Sequence, residues 1–247
     1  MTWLDRVLAT PSVGLTLKPE LYSEHEIFSS VRPLFDKWSK EGDVKVGQAE
    51  LTLSFGTALG FIFTVRPDTI VVEFKCKFEL KQRPGLLPVF PNVEAKKYSE
   101  LLETTVQQTN DFVDHILAIR RRTLTRIGVV AATRIDGECP PPGVASYIKH
   151  LQRPWQSPLI RCDSNLLSLL AEDTNKREQC HHRLIFNQAD EDKKNDFGLT
   201  LDWQRVMITP VELKSGAAQQ HLQSSCSSAL TYFERFGTGE LEYGFSD

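Results

Sequence analysis

Four arginines that lie close together offer the most distinctive chemistry in the sequence: Arg120, Arg121, Arg122 and Arg126. Guanidinium groups match phosphate oxygens in shape and charge, so the group is a candidate site for phosphate or nucleic acid. In the alternative interpretation, the first three end a long helix, where cations offset the helix dipole. No aromatic residue alternates with these arginines, as a platform for stacked bases requires. Nucleic-acid binding is therefore the second hypothesis for function.

The run Cys180-His181-His182 contains three residue types that bind metal ions. Adjacent side chains on a strand point to opposite faces, so the two histidines cannot both join Cys180 around one ion. The five cysteines include no CxxC pair, which signals neither a zinc ribbon nor a thioredoxin-type site. We predict structural roles for these residues, and neither a metal ion nor a cofactor.

Acidic and hydroxyl side chains form no recognisable active site. The acidic residues 190–192 precede two lysines, as in a solvated loop, and Asp111 and Asp114 share one side of a predicted helix. The serines between 224 and 228 have no GxSxG context, and neither a P-loop nor a GxGxxG motif occurs. The enzyme question stays open, but the lack of a motif favours a binding protein over a catalyst.

Large apolar side chains near both ends of the chain are candidate partner contacts. Trp3 and Leu4 begin a short amphipathic segment, which either docks on a partner or packs on the protein's own core. Tyr243 and Phe245 lie in a tail that follows two glycines. Such a tail is either tucked into the domain or presented as a ligand.

Hydrophobic periodicity predicts an alternation of strands and helices along the chain. A period of two indicates strands, and apolar residues every three to four positions indicate helices. The predicted strands are Ser12–Lys18, Val44–Phe55, Ala58–Val65, Thr69–Leu80, Arg126–Asp136, Leu166–Glu172, Cys180–Gln188 and Phe197–Ile208. The predicted helices are Glu24–Lys40, Ser99–Thr123, Val144–Gln152 and Val211–Phe236.

This order predicts an α+β fold of two packed halves, each an antiparallel sheet covered by helices in a ferredoxin-like pattern. Each half contains a strand, a helix, three strands and a further helix. We place the halves at residues 1–125 and 126–247 and expect them to share one core. The length of 247 residues suits either one large domain or two small, closely packed ones.

The overall composition is that of an ordinary globular protein, with 40% hydrophobic and 25% charged residues. The formal net charge of −3 excludes a strongly basic, chain-wide footprint for nucleic acid. The N-terminus carries no apolar run of the secretory type, and no stretch is long enough to span a membrane. We therefore expect a cytoplasmic protein that has no membrane partner.

Two motifs follow the long central helix. Residues 126–128 (Arg-Ile-Gly) open a strand that closes on residues 134–136 (Arg-Ile-Asp), and the last helix leads into a Phe-containing tail. Over about residues 81–245, these features resemble a sporadically distributed bacterial family of uncharacterised function. The resemblance implies a bacterial source and an accessory protein whose partner is encoded nearby, in a mobile or defence-related gene cluster.

These features favour a non-catalytic binding or regulatory subunit that acts through another protein. The alternative is a nucleic-acid-binding or processing module that uses the arginine group on phosphates. A third hypothesis is a small-molecule sensor with a pocket between two sheets.

Overall fold

The computed structural model of the protein describes residues 2–19, 33, 45–46, 53–56, 60–66, 68–75, 96–119, 121–152, 163–173, 178–188, 196–214 and 216–241. The strands are β1 (Thr10–Leu17), β2 (Lys45–Val46), β3 (Leu53–Gly56), β4 (Phe61–Val65), β5 (Thr69–Phe74), β6 (Arg122–Asp136), β7 (Asp163–Asp173), β8 (Glu178–Gln188) and β9 (Asp196–Leu213). The helices are α1 (Trp3–Arg6), α2 (Tyr98–Ile119), α3 (Pro142–Gln152) and α4 (Ala217–Thr238). Among these described helices, none is long and apolar enough to cross a membrane.

The described strands form one antiparallel sheet in the order β2-β3-β4-β5-β1-β6-β9-β8-β7. The strand that opens each predicted half lies beside the strand that closes it, since β1 pairs with β5 and β6 pairs with β9. The two opening strands also pair with each other at the centre of the sheet, where Gly14 lies opposite Gly128.

The prediction of an antiparallel α+β fold is confirmed, but the sheet is continuous where we expected one sheet in each half. The continuity comes from the hydrogen-bonded pairing of β1 with β6, which periodicity within either strand cannot reveal. The proposed boundary between residues 125 and 126 falls inside β6. The division into two domains stays a prediction.

Three predicted elements differ from the structure. The helix expected at Val211–Phe236 begins only at Ala217, because β9 extends to Leu213. The single strand expected at Val44–Phe55 is a pair, because β2 and β3 run antiparallel to each other. The long helix expected at Ser99–Thr123 ends at Ile119, and β6 begins three residues later. The helix predicted at Glu24–Lys40, apart from Pro33, lies outside the described residues.

All described helices lie on one side of the sheet. Each of the three longer helices places an aromatic ring on a buried strand residue: Phe112 of α2 on Phe63, Tyr147 of α3 on Phe186, and Tyr232 of α4 on His182. Phe63 and His182 belong to one cross-strand row that also contains Val72, Val13, Val129 and Trp203. Residues directly opposite each other share a face, so this row defines the covered face of the sheet.

The N-terminal turn α1 forms hydrogen bonds with both α2 and α4 in the helical layer. The indole Nε1 of Trp3 donates to the carbonyl oxygen of Phe233 in α4 at 2.8 Å. The carboxylate of Asp5 accepts from the backbone N–H of Thr2 at 2.9 Å and from that of Ser99, in the first turn of α2, at 3.0 Å. These backbone hydrogen bonds lower the pKa of the Asp5 carboxyl, although its burial acts in the opposite direction and is the largest single influence.

Candidate binding surface

The second face of the sheet carries no described helix, and we call it the uncovered face. Its side chains alternate with the core residues and are half-buried or exposed. Its described members in the central strands include Ser12, Gly14, Thr16, Val71, Arg126, Gly128, Val130, Ala132, Arg134, His181, Arg183, Ile185, Thr200, Asp202 and Gln204. Described positions on this face include no Phe, Tyr or Trp.

A β-bulge decides which arginine of β6 reaches the uncovered face. The pairing of β6 with β1 shifts between Leu124 and Arg126, so Thr125 is an extra residue relative to β1. Its hydroxyl donates to the carbonyl oxygen of Thr16 at 2.9 Å. The inserted residue reverses the alternation, because Arg122 and Leu124 are buried on the covered face and Arg126 is exposed on the other.

The structure disperses the predicted arginine group. Arg122 is only 3% exposed and donates to the carbonyl oxygen of Lys18 at 3.2 Å. Arg121 is exposed and forms an ion pair with Glu212 at 3.0 Å. Arg126 lies on the uncovered face, and Arg120 lies outside the described residues. The helix ends at Ile119, so Arg121 and Arg122 are not part of its last turn, and phosphate binding by the group stays a prediction.

The predicted partner contacts at the N-terminus are part of the protein's own core. Trp3 is 9% exposed and Leu4 1% exposed, and the Trp3 ring lies 6.4 Å from that of Phe236. This is the second of the two interpretations of the segment, and it removes both side chains from a free docking surface. Tyr243 and Phe245 lie outside the described residues, so their predicted role stays a prediction.

The run Cys180-His181-His182 divides between the two faces, as strand geometry requires. Cys180 and His182 are buried on the covered face, and His181 is half-buried on the uncovered face. The ring of His182 lies 3.8 Å from the ring of Tyr232, as centroids are measured. Within the described part of the chain, no cluster of three or more His, Cys, Asp or Glu residues is arranged to hold a metal ion.

Five polar side chains on β6, β8 and β9 form the central polar cluster of the uncovered face: Arg126, His181, Arg183, Asp202 and Gln204. Arg126 Nη1 donates to Gln204 Oε1 at 3.1 Å, and Gln204 Nε2 donates to Asp202 Oδ2 at 2.7 Å. Arg183 lies directly opposite Asp202, and His181 lies directly opposite Gln204. The Arg183 Nε donates away from the cluster, to Asn165 Oδ1 at 3.0 Å.

The cluster contains two buried polar atoms without a hydrogen-bond partner among the described residues, Asp202 Oδ1 and His181 Nε2. Burial raises the pKa of the Asp202 carboxyl, although the Gln204 hydrogen bond and the charges of Arg183, Arg126 and His181 favour its ionised form. A buried acceptor without a donor is costly to the fold. Such an atom in a native surface cluster is a reason to look for a ligand that supplies the donor.

The local sequence of β9 indicates a polar strand face for Asp202, but it does not assemble the cluster. The alternation of Thr200 and Asp202 with Leu199, Leu201 and Trp203 indicates the face correctly. The meeting of Asp202 with Arg183 and of Gln204 with Arg126 depends on the register of three strands. No local pattern in the sequence reports that register.

Comparison with known proteins adds no family. Neither the protein-family models nor the curated proteins match this chain. A solved structure of the rolling circle replication initiator protein from Geobacillus stearothermophilus matches at 8% sequence identity, over 89% of this chain and 78% of that chain, with a TM-score of 0.30. Similarity at this level carries no argument about the function of this protein.

Proposed function

We propose that this protein is a non-catalytic binding or regulatory subunit and that a protein partner binds the uncovered face of its sheet. The observation that supports the proposal is the asymmetry of the sheet. One face is buried under the described helices, whereas the other has no described helix over it and contains a cluster with unsatisfied polar atoms.

The composition of the uncovered face suits a protein partner. Protein interfaces combine apolar side chains with arginines and a limited number of hydrogen bonds. Val71, Val130 and Ile185 provide half-buried aliphatic surface around the polar cluster, and Arg126 and Arg134 are exposed. An antiparallel sheet can keep one face in water. A buried carboxylate oxygen without a donor lowers the stability of such a face, however, so its presence favours a partner that supplies the donor.

Site-specific photo-cross-linking tests this proposal. A benzoylphenylalanine at Arg134, exposed on the uncovered face, should give one discrete protein adduct in host cells that survives nuclease treatment. The control places the same group at Glu103, exposed on α2 in the helical layer. Adducts from Glu103 but not from Arg134, or adducts that disappear with nuclease, would contradict the proposal.

The second candidate is nucleic-acid binding, because Arg126, Arg134 and Arg183 lie on the same face of the sheet. Phosphate contacts make such binding strongly salt-dependent. Titration of duplex and single-stranded oligonucleotides at low and physiological salt would detect it, and charge reversal at Arg134 should then weaken binding without unfolding the protein. A lack of binding at low salt removes this candidate.

A further inference from the structure

The central polar cluster has unused hydrogen-bonding capacity of two kinds. Among the described residues, Arg126 donates one hydrogen bond to Gln204 and Arg183 donates one to Asn165, each from a guanidinium group that has five N–H groups. Asp202 Oδ1 is an acceptor without a donor, and His181 Nε2 also lacks a partner among the described residues. A ligand that satisfies the cluster therefore brings both anionic acceptors and a hydrogen-bond donor.

The backbone at the centre of the sheet is accessible beside these groups. Gly14 and Gly128 are directly paired, and neither has a side chain to place on the uncovered face. A Cβ at residue 128 would lie 3.8 Å from Gln204 Cγ and 4.0 Å from Asp202 Oδ1, with no atom of the described residues closer. The carboxylate oxygen that lacks a donor thus borders a position where an added atom meets no clash with the described residues.

We propose that the central polar cluster binds an extended, acidic segment of a protein partner. Carboxylates of the segment pair with Arg126 and Arg183, and a backbone N–H of the segment donates to Asp202 Oδ1 above Gly128. This inference rests on the proposed function, because it names the chemistry by which the uncovered face recognises its partner.

The positions of the two arginines set the spacing of the acidic side chains. Arg126 lies on β6 and Arg183 on β8, with β9 between these strands. Arg126 is opposite Val206 of β9, and Arg183 is opposite Asp202. With strands about 4.8 Å apart and a rise of about 3.4 Å per residue, the Cα atoms of the two arginines are about 17 Å apart. Two carboxylates four residues apart on an extended segment are separated by about 13.5 Å, and flexible side chains cover the difference.

The carboxylate of Asp202 is the feature that favours a peptide over nucleic acid. A phosphodiester has only acceptors, so it leaves Asp202 Oδ1 without a hydrogen-bond donor. Nucleobases could supply a donor, but single-stranded recognition uses aromatic stacking, and the described positions of this face have no Phe, Tyr or Trp. An acidic peptide supplies both the carboxylates and the backbone N–H.

The test measures the binding of a defined probe to the full-length protein. The probe is a fluorescent Gly-Ser peptide with three glutamates spaced four residues apart. Its binding is measured by fluorescence anisotropy. Comparison probes are the same peptide with lysine for glutamate, and duplex and single-stranded oligonucleotides of equal charge. The variants are R126E, R183Q and D202N, and the control is K149E, which changes the charge of an exposed residue of α3 in the helical layer.

We expect the glutamate probe to bind more tightly than the other probes. R126E and R183Q should each weaken it by about tenfold and D202N by about threefold, whereas K149E changes the affinity by less than twofold. The inference is overturned if R126E and R183Q leave the affinity unchanged, if K149E weakens it equally, or if an oligonucleotide binds more tightly. If the peptide result fails while the nuclease-resistant adduct from Arg134 persists, this inference falls and the proposed function stands.

Discussion

A buried carboxylate in the helical layer and a half-buried one on the uncovered face have opposite surroundings. In the helical layer, each oxygen of Asp5 accepts a backbone N–H, and these bonds lower its pKa. On the uncovered face, the described residues supply a donor to one oxygen of Asp202 only, and burial raises its pKa. Asp5 therefore stabilises the fold through its hydrogen bonds, whereas Asp202 has an acceptor that the described residues leave without a donor. This contrast is the reason to place function on the uncovered face.

The largest expected difference between the faces is in packing. Trp203 is 2% exposed at the centre of the covered face. W203A should lower the free energy of unfolding by about 3–5 kcal/mol, because a large aromatic side chain leaves a cavity. T200A, on the uncovered face of the same strand, should change it by less than about 0.5 kcal/mol. Urea unfolding checks both variants, and equal losses would contradict the division into faces.

Two glycines provide a second contrast of the same kind. A Cβ at Gly143 would overlap the backbone of Phe236, where α3 crosses the end of α4, so G143A should cost about 1–3 kcal/mol. The new Cβ of G128A meets no atom of the described residues closer than 3.8 Å, and the substitution should stabilise the protein by up to about 1 kcal/mol because alanine restricts the unfolded chain. Thermal and urea unfolding measure both changes. A destabilised G128A would show that other atoms already occupy the space over residue 128 on the uncovered face.

The carboxylate of the helical layer gives an intermediate effect with a defined pH dependence. D5N should destabilise the protein by about 1–2 kcal/mol at neutral pH, because one backbone N–H loses its charged acceptor. The folded pKa of Asp5 is lowered, so its contribution is present above the unfolded value of about 3.9 and is lost as the pH falls through the folded value. The stabilities of D5N and the wild type should therefore converge in acid. A constant difference across this range would argue against Asp5 as the link.

The smallest effect is expected at Asp202, with the opposite sign of pH dependence. D202N should change stability by less than about 1 kcal/mol at neutral pH, because an amide keeps one acceptor for Gln204. The folded pKa of Asp202 is raised, so its favourable contribution is present below the unfolded pKa and is lost as the pH rises through the folded value. Unfolding of D202N and wild type from acid to neutral pH measures this difference. A wild type that gains stability relative to D202N as the pH rises would contradict it.

The elements of the second part of the chain could be predicted from the sequence because their periodicity is local. The strand predicted at Arg126–Asp136 and the helix predicted at Val144–Gln152 each lie within the observed β6 and α3. The predicted start of β6 is too late, because the arginines at the observed start are equally typical of the end of a helix. Alternation in β9 also indicated which of its side chains leave the core.

The site depends on information that no single element contains. The bulge at Thr125 moves Arg126 to the face opposite Arg122, although both were grouped by their spacing in the sequence. Asp202 gains its neighbours from the register of β8 and β9, and its unpaired oxygen is visible only once all three strands are in place. Long-range pairing, rather than propensity, therefore defines the candidate surface.

The most direct test of the account is a nuclear magnetic resonance titration of the Asp5 and Asp202 side-chain carboxyl groups, with and without the glutamate probe. The account predicts a pKa below the ordinary value for Asp5 and above it for Asp202 in the free protein. The probe should change the pKa of Asp202, because it brings both an N–H donor and new carboxylates next to this group, and it should leave the pKa of Asp5 unchanged. An Asp202 pKa that is ordinary in the free protein, or that does not respond to the probe, would contradict the central claim.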